Sequence, residues 1–142
     1  MIGIIVSGHG QFATGLKSAL TLIAGEKNNI EFIDFDCPSI QELENRFTVA
    51  IERLNGVDSI LALCDLTGGS PFKTVAVMLN QLEKEAEVIG GVNLPILIEL
   101  SLACDFIEDV HQLADMALQT GKNNITKFEM PQVEVEEEGD GI

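Results

Sequence analysis

Tryptophan and tyrosine are both absent from the 142 residues, which leaves the core to aliphatic side chains and seven phenylalanines. Positive charge is scarce as well: 8 Lys and Arg stand against 23 Asp and Glu, a formal net charge of −15. A sequence-independent hold on nucleic acid needs clustered Lys and Arg, so this balance argues against one. It equally disfavours an anionic membrane surface, whereas a basic protein partner, or solubility alone, fits the charge. No run of residues approaches the ~20 apolar positions that span a bilayer. Met1 leads straight into Ile2-Gly3-Ile4-Ile5-Val6, too short for a signal-peptide core and without a basic lead; it reads as a first strand. The cysteines are few and isolated. Cys37, Cys64 and Cys104 make no C-x-x-C pair and have no histidine at metal-ligand spacing, so they read as reduced packing residues of a cytoplasmic protein. No dinucleotide fingerprint, P-loop or nucleophile-elbow serine is present, and no cofactor or metal is expected.

What the sequence does hold is an alternation of strand and helix. Ile2–Ser7 is a short apolar run of the kind that forms buried parallel strands. Phe12, Leu16, Ala19, Leu20 and Ile23 then make a helical stripe, closed by Gly25. A second strand is expected at Ile30–Phe35, followed by a helix capped by Ser39 with Glu42 three residues on. Ser59–Cys64 reads as a third strand, and Ser70-Pro71 as the start of another helix. Val88–Val92 is expected to be the fourth strand, Pro95 to open a helical region, and Phe106–Gln119 to form a last helix ending at Gly121. Ile125–Phe128 reads as a short fifth strand. From Glu129 the chain carries six acids and no base, the mark of a frayed tail. The expectation is a single three-layer α/β/α domain over residues 1–128, with a mainly parallel sheet and an acidic tail over 129–142.

In open α/β sheets ligands bind beyond the carboxyl ends of the strands. Three loops meet that condition: Ser7-Gly8-His9-Gly10, Asp65 to Ser70, and Gly91 to Pro95. Glycine on each side of His9 clears space for a partner's backbone, and the helix behind it offers N–H groups and a positive dipole end. Asp65, directly after its strand, has the reach to bond one ring nitrogen of His9 and leave the other as nucleophile. That requires the first and third strands to be neighbours, which gives the order 2-1-3-4. Gly68, Gly69, Ser70 and Gly10 are candidates to hold phosphate oxygens, and Asn93 stands at the edge. Each has a plainer reading: Asp65 and Asn93 as turn residues, Gly-Gly-Ser-Pro as an ordinary helix entry. The convergence of three loops on one edge favours function. His111, at the margin of a helical stripe, reads as structural or solvent-facing.

Ile5-Val6-Ser7-Gly8-His9-Gly10, Asp65-Leu66-Thr67-Gly68-Gly69-Ser70-Pro71-Phe72 and Gly90-Gly91-Val92-Asn93-Leu94-Pro95, in this order and spacing, resemble the enzyme IIA component of the mannose-type bacterial phosphotransferase system. The resemblance extends to about residue 128 and rests on the pairing of the histidine loop with Gly-Gly-Ser-Pro-Phe. It implies a protein-histidine phosphotransferase of sugar uptake. His9 would accept phosphate on Nε2 from the histidine-containing phosphocarrier protein, Asp65 would hold the imidazole, and an enzyme IIB component would be the recipient. It also implies a homodimer whose fifth strand, antiparallel at the sheet edge, crosses to the partner subunit. Some relatives continue through a linker into an enzyme IIB domain; here a separate enzyme IIB is expected. Contact with the membrane would be indirect, through enzyme IIC and IID components. The competing readings are a phosphocarrier serving dihydroxyacetone kinase, a non-catalytic flavodoxin-like regulatory domain, and a metal-dependent hydrolase. Leu66, where relatives vary, is assigned no role.

Overall fold

The computed structural model describes residues 1–132, so the tail expected over 129–142 falls largely outside the described residues. Among the described residues nine elements follow one another: β1 (Ile2–His9), α1 (Phe12–Ala24), β2 (Ile30–Phe35), α2 (Ile40–Arg53), β3 (Ser59–Cys64), α3 (Ser70–Asn80), β4 (Glu85–Ile89), α4 (Leu94–Ala103) and α5 (Val110–Asn123). The strands form one parallel sheet in the order β2-β1-β3-β4. β1 and β3 are thus adjacent at the centre, as the proposed reach of Asp65 requires.

Alternation along the central strands divides the core between two faces. Ile4 and Val6 of β1 and Leu61 and Leu63 of β3 pack with Leu20 of α1, Leu97 and Leu100 of α4 and Leu113 of α5. Ile5, Ile60 and Ala62 face the other way, against Leu43 and Phe47 of α2 and Val75 and Leu79 of α3. Three helices therefore cover one face and two the other. Phe47 is fully buried, the largest such side chain in the core. Among the described residues no helix is long and apolar enough to cross a membrane.

Local signals in the sequence account for most helix ends. Ser39 Oγ accepts from the Glu42 N–H at 3.1 Å, while the Glu42 carboxylate turns to Arg46 instead of closing the box. Gly25 terminates α1 at φ +86°, a left-handed angle that glycine adopts without strain. Three boundaries differ from expectation. β4 starts and ends three residues early, at Glu85–Ile89, because a strand at the sheet edge tolerates Glu85 and Glu87. α5 starts at Val110, just after Asp109, whose carboxylate caps it by accepting from the His111 N–H at 3.0 Å. The same helix runs through Gly121, where a Cβ would lie 2.8 Å from Ile96 Cδ1. Gly121 is a packing glycine, placed where α4 and α5 meet, and not a stop signal. Finally, Ile125–Phe128 forms no strand: Ile125 and Phe128 are 79% and 76% exposed. A strand takes its hydrogen bonds from a neighbour, and this single chain places none beside that segment.

Candidate functional site

β1 carries His9 to the tip of the sheet, paired in register with Phe35 of β2. Asp65 is the first residue after β3, and its N–H donates to Ser7 O at 3.2 Å, extending the β1–β3 pairing by one bond. The carboxylate and the imidazole meet there. Asp65 Oδ2 accepts from the His9 backbone N–H at 2.9 Å and lies 2.9 Å from Nδ1. Asp65 Oδ1 is buried and has no hydrogen-bond partner among the described residues. The imidazole is 44% exposed and the carboxylate 17%, an asymmetry that buries the orienting group and leaves the ring open. With Nδ1 directed at a carboxylate, the proton belongs on Nδ1 and the lone pair on Nε2. Nε2 takes part in no hydrogen bond among the described residues.

The glycines around this pair have different tasks from those expected. A Cβ on Gly8 would fall 2.5 Å from Phe12 Cδ1 and 2.8 Å from Asp65 Cγ, so the space it clears is filled by Phe12 and the carboxylate. Gly10, at φ +60°, donates its N–H to Phe35 O at 2.8 Å. The Gly69 N–H donates to Leu66 O at 3.1 Å. Two of the four candidate anion donors are therefore engaged inside the protein. Gly68, at φ +82°, turns the chain into α3. That helix has Gly69 as N-cap without a side-chain cap, Pro71 in its first turn, and Lys73 N to Gly69 O as its opening bond. First-turn N–H groups have no partner within a helix, which leaves the amides of Ser70 and Phe72, and the Ser70 hydroxyl, to face an anion. The N-terminus of α1 is in a different state. Asp34 Oδ1 accepts from the Thr14 N–H at 3.0 Å and Oδ2 from the Thr14 hydroxyl at 2.6 Å, so a carboxylate of β2 already caps it. Of the two helices behind the histidine, α3 is the one whose end carries no side-chain cap at the site.

The third loop is close by but structural in its contacts. Val92 N–H donates to Cys64 O at 3.1 Å, and a Cβ on Gly90 would fall 2.1 Å from Thr67 Oγ1, so the Gly90 and Thr67 backbones are in close approach. Asn93 Oδ1 caps α4, accepting from the Ile96 N–H at 3.1 Å. Two neighbours of the site were not evident in the sequence. Phe35 stands edge-on to the His9 ring, centroids 5.8 Å apart at 66°; its register opposite His9 was the available signal. Asp34, beside it, was hidden because its partner is on a different element. Cys64, the last residue of β3, is buried; desolvation first, then the Asp65 charge, pushes its thiol up to about 12, which makes it inert.

His111 shares none of this. It is exposed in the first turn of α5, with Nδ1 2.6 Å from Glu87 Oε2 and Nε2 2.5 Å from Glu85 Oε1. The two carboxylates, Glu87 first and Glu85 next, raise its pKa to about 9. A protonated imidazole with both nitrogens occupied offers no nucleophile. Among the described residues no group of three or more His, Cys, Asp or Glu side chains is placed to hold a metal ion.

Comparison with known proteins agrees with the geometry. The family model EIIA-man, described as the PTS system fructose IIA component, matches residues 3–118. The chain is 35% identical over 101 residues to the PTS system fructose-specific EIIA component of Bacillus subtilis, covering 70% of this chain and 68% of that protein. It is 30% identical over 134 residues to the PTS system mannose-specific EIIAB component of Escherichia coli, covering 94% of this chain but 41% of that longer protein. The crystal structure of a phosphotransferase system component EIIA from Streptococcus agalactiae superposes with a TM-score of 0.79 at 31% identity, covering 89% of this chain and 97% of the other. The chain therefore belongs to the mannose-type family of phosphotransferase-system enzyme IIA components.

Proposed function

We propose that this chain is a protein-histidine phosphotransferase that takes a phosphoryl group onto Nε2 of His9 from the histidine-containing phosphocarrier protein and passes it to an enzyme IIB component. The observation that carries this reading is the His9–Asp65 pair, with Nδ1 directed at a carboxylate and Nε2 open at the surface. In the transfer the Nε2 lone pair forms the new P–N bond as the donor's P–N bond breaks, and the donor nitrogen keeps the electron pair. The Nδ1 proton stays on the ring, and Asp65 balances the positive charge that develops there. The α3 end, through Ser70 and the amides of Ser70 and Phe72, holds the transferring oxygens. Phosphoryl transfer asks mainly for positioning and electrostatic stabilisation, and these groups supply both. Gly68 shapes the turn and Asn93 holds the neighbouring loop in place. An exposed ring at a sheet edge suits a donor that is itself a protein.

The same reading places the protein in the cytoplasm, as a homodimer with residues 1–128 as its functional domain, in contact with enzyme IIC and IID only through the relay. Incubation with the phosphorylated phosphocarrier, followed by counting acid-labile label per chain, tests the assignment. The wild type and His111→Ala are expected to reach full labelling and His9→Ala none. Full labelling of His9→Ala would remove the basis for the mechanism.

A further inference from the structure

Gly69 has the expected position of an anion donor, yet its N–H is spent on Leu66 O at 3.1 Å. What distinguishes the residue is its missing side chain. A Cβ built there would lie 2.9 Å from His9 Cε1, closer than real Cβ contacts come, and 3.3 Å from Leu66 O. The backbone itself makes no demand for glycine, since φ −73° and ψ 172° are ordinary extended values open to alanine. The empty space at Gly69 is therefore needed first by the imidazole, and less by the loop, where Leu66 O would have to give by a few tenths of an ångström.

Three groups then bound the ring of His9. Asp65 Oδ2 lies 2.9 Å from Nδ1, Gly69 faces Cε1, and Phe35 stands edge-on with centroids 5.8 Å apart. A half-turn of an imidazole about its Cβ–Cγ bond exchanges Nδ1 with Cδ2 and Cε1 with Nε2. In the turned ring the carboxylate would meet a carbon, and Nε2 would be pressed against the Gly69 backbone. The observed orientation is the one that keeps Nε2 outside.

We infer that Gly69 is a positioning residue: its bare backbone is the seat for His9 Cε1, and this seat, with Asp65, decides which ring nitrogen is left for the phosphoryl group. The inference rests on His9 being the phosphoryl acceptor, and it assigns Gly69 a steric role in place of an anion-binding one. A methyl group at Gly69 would leave the fold in place, since its backbone angles suit alanine and Gly69 is half-buried in a loop. The methyl would push the ring off Asp65.

The test compares Gly69→Ala with wild type and with Gly15→Ala, a variant in α1 whose Cβ would meet nothing within 4 Å. The proteins, labelled with 15N in histidine, are first examined unphosphorylated for the His9 tautomer. They are then phosphorylated with phosphoramidate, which transfers its phosphoryl group to imidazole and releases ammonia without any relay protein. Wild type and Gly15→Ala are expected to show the Nδ1–H tautomer and a single Nε2-phosphorylated product. Gly69→Ala is expected to unfold at the wild-type temperature, to show mixed tautomers and both phosphorylated nitrogens, and to accept phosphate from the phosphocarrier about a hundredfold more slowly, the scale of a misplacement near 1 Å. A Gly69→Ala protein with the wild-type tautomer and one product overturns the inference. So does one that fails to fold, because the glycine would then serve the loop. If phosphocarrier labelling fails in the wild type, the proposed function falls, while the tautomer comparison still judges the seat.

Discussion

His9 is bound to Asp65 twice through one oxygen: the backbone nitrogen and Nδ1 are both 2.9 Å from Oδ2, while Oδ1 is buried without a partner among the described residues. One carboxylate oxygen thus fixes both the chain at His9 and the ring that His9 carries. Asp65→Ala is expected to keep the fold and lower the rate of phosphoryl acceptance by about a hundredfold or more, as for other lost orienting groups. Quench-flow with the phosphorylated phosphocarrier measures it. Asp65→Asn separates hydrogen bonding from charge, since its amide oxygen is still able to accept from the backbone N–H and from Nδ1–H but carries no charge to balance the phosphorylated ring. It should fall between wild type and Asp65→Ala.

The pair of carboxylates around His111 predicts a pH effect in the opposite corner of the chain. Its folded-state pKa is about 9, raised from 6.5 first by Glu87 and then by Glu85. A raised pKa means that the protonated, paired form stabilises the fold fully below pH 6.5 and that the gain is lost as pH rises through about 9. The urea midpoint of the wild type should therefore exceed that of His111→Ala near pH 6, and the two should converge above pH 10. Glu87→Gln should bring the His111 titration, followed by its imidazole proton signals, back toward 6.5.

Asp34 offers a test of stability without chemistry. It satisfies both the N–H and the hydroxyl of Thr14 at the start of α1. Asp34→Ala should cost about 1 kcal/mol, the usual loss when a helix cap is removed, measured by urea unfolding. Labelling of His9 should go to completion in that variant.

Ile125 and Phe128 are largely exposed beyond α5, and β4 presents an open edge. A second copy whose segment pairs there would cover both. Deleting residues 125–142 should convert a dimer into monomer or aggregate in sedimentation velocity. A truncated chain that sediments as an intact dimer would remove the swapped-strand proposal.

Much of this was legible in the sequence because it is local. Strand β1, the Ser39 cap and the Pro71 helix start are written in runs of a few residues. Even the meeting of His9 and Asp65 could be inferred, since both follow apolar runs that a parallel sheet brings to the same edge. What escaped was set between elements. Gly121 looked like a helix end because its reason for being glycine is Ile96, on another helix. The start of β4 at Glu85 was missed because the partner of Glu85 and Glu87, His111, lies more than 20 residues away. Of the amides expected behind His9, that of Thr14 is held by Asp34, and those of Gly10 and Gly69 by Phe35 and Leu66.

The open Nε2 has a kinetic consequence. On the proposed function, a single acceptor nitrogen at one surface leaves no room for donor and recipient proteins to be seated together, because the donor's phosphoryl group and then the recipient's nucleophile must come to the same place in front of Nε2. The two proteins would then visit by turns, and the proposed relay is expected to obey a double-displacement rate law. Raising the concentration of unphosphorylated recipient cannot speed the first half-reaction; at excess it obstructs it, by occupying the surface from which the donor has to approach.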